Sequence, residues 1–172
     1  MLTTEFKYFW QMVLLAVLQA TVFNRLHLLG LATPIVTPLF LLFLPINEGH
    51  ATTLTRAFAL GLLTDYIGGT PGLNSAALVA TAMVRPALLR LFVPREHDDD
   101  LVPSYRSMGA RKHISLMLSV VVVHHLIYFA LEAMNYFTHV ALLESLGLSV
   151  ALSLIVMMAL DTLRDRKKFH QQ

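Results

Sequence analysis

Apolar runs long enough to become membrane helices alternate with short polar links along the chain, and this alternation predicts six helical spans. They cover residues 6–23, 29–46, 53–68, 72–92, 114–137 and 141–163. Most approach the roughly 20 apolar residues needed to cross a ~30 Å hydrocarbon core. The first run opens on Tyr8, Phe9 and Trp10, whose rings favour a membrane interface. The second carries Pro34 and Pro38, so it is expected to be irregular where it begins. The third stops abruptly in Gly68, Gly69, Thr70, Pro71 and Gly72, a cluster that dictates a tight reversal because glycine supplies positive φ and proline fixes φ without donating a hydrogen bond. The longest link, 94–113, mixes Glu96, Asp98, Asp99 and Asp100 with Arg95, Arg106, Arg111 and Lys112, the composition of a surface loop.

Composition strengthens the membrane reading. The chain is 56% hydrophobic and 14% charged, with a mean hydropathy of +0.62, too apolar for an ordinary water-soluble domain. The expected fold class is therefore an all-α membrane protein, one integral membrane domain built as a six-helix bundle. Cysteine is absent, which removes disulfides, thiolate metal sites and a cysteine nucleophile. The first run lacks a small-x-small cleavage site and is interrupted by Gln19, so it is expected to be a retained span rather than a signal peptide.

Charge sets the expected orientation. With six spans, the termini and the even-numbered links carry 12 of the 13 Lys and Arg residues, and only Arg25 falls on the other side. Discounting Arg85, which interrupts an apolar run, leaves 11 to 1, which places both termini in the cytoplasm by the positive-inside rule. The basic residues thus speak for topology and not for nucleic-acid binding.

Chemistry-bearing residues concentrate around the third run. Gly61, Asp65 and Gly68 or Gly69 share one helix face by spacing, and a small-polar-small stripe lets another backbone approach closely. Asp65 lies three residues before the turn, roughly 5 Å from the helix end at ~1.5 Å per residue. There an ionised carboxylate is cheaper than the ~3 kcal/mol it costs at mid-bilayer. Two roles follow for Asp65: a cap that stabilises the turn, or a contact for a partner or ligand. Arg85 lies thirteen residues past Gly72, about 20 Å inward of the turn and so roughly 15 Å deeper than Asp65, the wrong depth to pair with it. It is expected to anchor at the cytoplasmic interface with Arg90, or to face a polar pocket there.

His124, His125 and Glu132 raise a metal or proton-relay possibility, but adjacent histidines diverge by about 100° and only His125 shares a face with Tyr128 or Glu132. Polar contacts within the bundle are the expectation, with His139 and Glu144 solvated near the outer link. The sequence contains no Gly-x-Ser-x-Gly elbow, no His-Glu-x-x-His helix and no phosphate-binding Gly loop followed by Lys. Asp98 to Asp100 lack the calcium-loop pattern. No catalytic residue, metal or cofactor is expected.

The stretch Gly61, Leu62, Leu63, Thr64, Asp65, Tyr66, Ile67, Gly68, Gly69, Thr70, Pro71, Gly72, Leu73, Asn74 resembles the central region of the bacterial rod shape-determining MreD family. Gln19, Pro34, the length and the basic ends fit the same family. The resemblance implies a non-enzymatic component of the cell-elongation machinery in the plasma (inner) membrane. It would bind an MreC-like single-span protein and, indirectly, the MreB filament and peptidoglycan synthases, with membrane lipids as surroundings. It also implies a fold like that of the substrate-binding subunits of energy-coupling vitamin transporters. Two functional expectations follow: a scaffold whose groove near Gly61, Asp65 and Asn74 accepts a partner helix, or a small-molecule-binding transporter subunit with Asp65, Asn74 and Arg85 lining a pocket. Gly68 and Gly69 belong to the same candidate surface, while Gln19, Pro34, Pro71 and Gly72 are assigned structural roles. The Arg85–Pro86 interruption and the Asp98–Asp100 loop depart from the family habit.

Overall fold

The computed structural model describes residues 2–25, 33–70, 72–93, 101–134 and 139–169. Pro71, the acidic residues Asp98, Asp99 and Asp100, and the start of the second run lie outside them, as do the side chains of His139 and Glu144. The described residues are all-helical, with seven α-helices: α1 (Leu2–Thr21), α2 (Leu39–Phe43), α3 (His50–Gly68), α4 (Leu73–Phe92), α5 (Tyr105–Met108), α6 (Ala110–Ala133) and α7 (His139–Phe169). Three stretches, Leu73–Phe92, Ala110–Ala133 and Ser145–Arg164, are long and apolar enough to cross a membrane.

Helical periodicity explains the packing. On α3 the buried positions are Thr53, Arg56, Ala57, Leu60, Gly61, Thr64 and Asp65; on α4 they are Asn74, Ser75, Ala77, Leu78, Thr81, Ala82, Arg85, Leu88 and Leu89. Each set recurs every three to four residues and forms one stripe. Small side chains recur in both stripes, Thr53, Ala57, Gly61 and Thr64 on α3 and Ser75, Ala77, Thr81 and Ala82 on α4, which permits close helix approach. Along α7, Ser149, Ser153, Met157 and Asp161 bury every fourth residue. The outward faces are apolar instead: Phe9, Trp10 and Leu14 on α1, Phe58, Leu62 and Tyr66 on α3, Leu118 and Leu126 on α6, Leu148 and Ile155 on α7. Polar stripes inside and apolar faces outside suit a lipid surround.

α1 packs on α3, α3 on α4, α4 on α6 and α6 on α7. The described part of the second apolar run, from residue 33, is buried among them and is not a continuous helix. Residues 33–36 carry no regular structure, a turn follows at 37–38, and only then does the five-residue α2 begin. Every residue from Leu39 to Phe43 is buried. Pro34 and Pro38 give the reason, because the residue before a proline is pushed out of the helical region.

An irregular backbone enclosed this way must find hydrogen-bond partners among side chains. The amide of Thr33 donates to Ser149 Oγ (3.1 Å) and that of Ile35 to Ser153 Oγ (2.7 Å). Gln19 brackets Pro34: its Oε1 accepts the amide of Val36 (2.7 Å), and its Nε2 donates to the carbonyl of Pro34 (3.0 Å) and to Asn24 Oδ1 (2.8 Å). At the other extremity Arg85 donates to the carbonyls of Leu41, Leu44 and Pro45.

The bundle therefore has two chemically distinct ends. At the Arg85 end, Arg56 pairs with Glu5 (2.6 Å) and Glu48 (2.9 Å) and lies 4.6 Å from the Tyr8 ring centroid. Arg164 sits 4.2 Å from the Phe43 centroid, and His113 Nε2 meets Asp161 Oδ2 at 2.6 Å with both side chains fully buried. The Asp65 end gathers the Gly-rich turn, Gln19, Asn24 and the far ends of α6 and α7. Successive long elements alternate in direction between these ends.

Candidate functional site

The Gly-rich turn is a mutual cap of two helices. α3 ends with Gly69 in the left-handed region (φ 69°), and the amides of Gly69 and Thr70 both donate to the carbonyl of Asp65, a Schellman-type closure. Gly72 is also left-handed (φ 81°) and starts α4. A helix start exposes amides that have no partner within the helix. Here the Asp65 carboxylate reaches across the turn to supply one. Its Oδ1 accepts from the Asn74 amide (2.9 Å), Asn74 Nδ2 (3.0 Å) and Thr70 Oγ1 (2.9 Å). Its Oδ2 accepts from the Ser75 amide (2.9 Å) and Ser75 Oγ (2.7 Å). Both oxygens are thus engaged internally, and the capping role is the one this geometry serves.

Gly61 completes the hairpin. A Cβ at this position would fall 2.3 Å from Ser75 Cα and 2.7 Å from its nitrogen, so the α4 backbone occupies the space a side chain would need. The α3 face that carries Gly61 and Asp65 is filled by Asn74 and Ser75 of α4, so a partner helix does not enter there. Gly61→Ala is expected to lower stability by about 1–3 kcal/mol through overpacking, and Gly61→Leu by more. Thermal unfolding in detergent measures both, and an unchanged midpoint for the leucine variant would contradict the contact.

Beside this clamp lies a cavity of about 390 Å³. Asn24, Thr33 and Ile35 form one wall, Gly68, Thr70 and Asn74 a second, and Tyr128, Phe129 and Glu132 of α6 with Ser145 and Ser149 of α7 the remainder. Of the candidate ligand residues, Gly68 and Asn74 line it. Asp65 lies behind Asn74 and Thr70 with its oxygens occupied. Arg85 does not belong to this pocket, since its guanidinium is committed to the carbonyls of Leu41, Leu44 and Pro45 at the opposite end. Nor is Arg85 an interfacial anchor: it is 3% exposed and buried in the bundle.

A directional chain supports the cavity floor. The Ile35 amide can only donate, so Ser153 Oγ accepts it and turns its own proton toward His125 Nε2 (3.0 Å). His125 then carries its proton on Nδ1 and donates to the Val121 carbonyl (2.8 Å). His124 points elsewhere; neither ring nitrogen meets a hydrogen-bond partner among the described residues, and its ring abuts Tyr128 at 6.2 Å. No group of three or more His, Cys, Asp or Glu side chains suited to a metal occurs among the described residues.

Sequence reasoning overlooked Ser149, Ser153 and Asp161. Their spacing in multiples of four within an apolar run was the available signal, since it puts one polar edge on an otherwise lipophilic helix. No protein-family model, curated protein or solved structure matches this chain.

Proposed function

We propose that this chain is a non-catalytic membrane scaffold of the bacterial cell-elongation machinery, a rod shape-determining protein of the MreD type. On this reading it crosses the inner membrane six times with both termini cytoplasmic and binds an MreC-like single-span protein, coupling indirectly to the MreB filament and peptidoglycan synthases. The observation that carries the reading is the clamp itself. Residues of the motif on which the family resemblance rests meet in the α3–α4 hairpin, with Gly61, Asp65, Gly69 and Asn74 each engaged there. The arrangement adds support, because Arg56, Arg85 and Arg164 lie at the end where α1 begins and α7 finishes.

Since the clamp face is filled from within, the partner helix binds one of the exposed apolar faces instead. Photo-crosslinkers placed in native membranes at Leu62 and Tyr66 on α3, Leu126 on α6 and Ile155 on α7 test this, all being exposed. The expected result is an adduct with a single-span membrane protein from one of these faces. Lipid adducts alone at every position would overturn the scaffold reading.

The cavity favours a second reading, a small-molecule-binding subunit of a membrane transporter. Its polar wall and its size, within the roughly 300–1,000 Å³ typical of ligand sites, support that alternative.

A further inference from the structure

From the cavity beside the clamp we infer a binding site for a small neutral molecule that carries hydrogen-bond donors and acceptors together, as a carboxamide or lactam does. The inference deepens the ligand-binding reading and rests on it. It follows from which polar atoms of the lining are already committed. The Asp65 carboxylate only accepts, so Asn74 must turn its nitrogen toward it, and Nδ2 donates to Asp65 Oδ1 and to Thr70 Oγ1. That fixes the orientation of the carboxamide and leaves Oδ1 on the side away from both. This oxygen meets no donor among the described residues, yet it is not one of the atoms sealed in the core. Asn74 lines the cavity and is 3% exposed, so Oδ1 is the part of its side chain that the cavity reaches.

Asn24 is fixed by the same logic. The Val36 amide only donates, so Gln19 turns Oε1 toward it and Nε2 toward Asn24, whose Oδ1 accepts. Asn24 Nδ2 is left on the opposite side, where a Cβ on Gly68 would fall 2.7 Å from it. The missing side chain at Gly68 keeps this donor open, and both residues line the cavity. Ser149 Oγ accepts the Thr33 amide, and its own proton meets no acceptor among the described residues. Two donors and one acceptor are thus left for a ligand. No lysine or arginine lines the cavity among the described residues, and Glu132 already has a partner, so the spare chemistry is hydrogen bonding and not charge. An anion brings acceptors alone and strands Asn74 Oδ1. A cation brings donors alone and strands Asn24 Nδ2 and Ser149 Oγ. A buried polar group left unpaired costs its full desolvation, so a neutral group that supplies both kinds of partner is the one that fits. Ile35 and Phe129 give its body an apolar lining.

The test uses the full-length protein in detergent and three planar compounds of nearly one shape: benzamide, benzoate and the benzamidinium ion. The first offers donors and an acceptor, the second only acceptors, the third only donors. Benzamide at millimolar concentration is expected to raise the melting temperature, and the two ions are not. Asn24→Asp keeps the oxygen that Gln19 needs and exchanges the free donor for an acceptor. It is expected to weaken benzamide's apparent affinity about tenfold, the size of one buried hydrogen bond, and to let benzamidinium raise the melting temperature. Gly68→Ala, whose methyl would displace Asn24 Nδ2, is expected to weaken benzamide likewise without a gain for benzamidinium, and serves if Asn24→Asp does not fold. A wild-type shift by either ion as large as that by benzamide would overturn the neutral class and leave the ligand-binding reading standing. No shift by any of the three would overturn both. A benzamide shift unaltered in the variants would place binding outside this cavity and overturn the proposal.

Discussion

Asp65→Ala is expected to abolish the folded α3–α4 hairpin under conditions where the wild-type protein is stable. The substitution removes one carboxylate but strands several donors. The amides of Asn74 and Ser75 sit in the first turn of α4, where no intrahelical carbonyl is available to them. Both residues are buried, 3% and 4% exposed. Each unpaired buried donor costs about 1–3 kcal/mol, so the two amides alone imply a loss of roughly 2–6 kcal/mol. Ser75 Oγ loses its acceptor as well, whereas Asn74 Nδ2 keeps Thr70 Oγ1. Asp65→Asn separates charge from geometry. One amide oxygen can still accept, but the amide nitrogen faces donors at the other position, so an intermediate stability is expected. Thermal or SDS-titrated unfolding in detergent measures the order wild type, Asn, Ala. An alanine variant as stable as wild type would show that the cap contributes little.

Much of this clamp was legible in the sequence. The three-to-four spacing of Gly61, Asp65 and Gly68 put them on one face, and the glycines announced the reversal. The near-surface depth of Asp65 made a cap plausible and separated it from Arg85. What the spacing did not disclose is that α4, not a partner, fills the stripe, because the register between two helices depends on the turn's dihedrals. The second run was less legible. Its apolar residues predict a span over 29–46, and the prolines predict irregularity, yet the acceptors for the Thr33 and Ile35 amides come from Ser149 and Ser153, 116 and 118 residues away. A local pattern carries no information about a partner that distant. His113 illustrates the same limit: it falls in the polar link by composition, but Asp161 draws it fully into the bundle.

Arg85 is the position where a local expectation and a distant cause differ most, and Arg85→Met is the second substitution expected to be severe. Inside a helix the Leu41 carbonyl would accept from the amide four residues on, but that residue is Pro45, which has no N–H. Arg85 Nε supplies the missing donor at 2.9 Å, while Nη2 serves Leu44 and Pro45, each at 2.8 Å. Pro45's carbonyl also accepts from the Glu48 amide and keeps that partner in the variant. Methionine fills much of the volume but leaves the Leu41 and Leu44 carbonyls unpaired among apolar neighbours, at about 1–3 kcal/mol each. Opposing this, the variant relieves the desolvation of a buried cation, so the net loss is smaller than the sum, about 2 kcal/mol or more. Arg85→Lys decides which term leads. Lysine keeps the charge but loses the planar fork that reaches carbonyls on successive turns. If carbonyl capping dominates, stability falls in the order Arg, Lys, Met; if charge burial dominates, methionine is the most stable. The capping order is expected, because an apolar surround offers the stranded carbonyls no water in exchange.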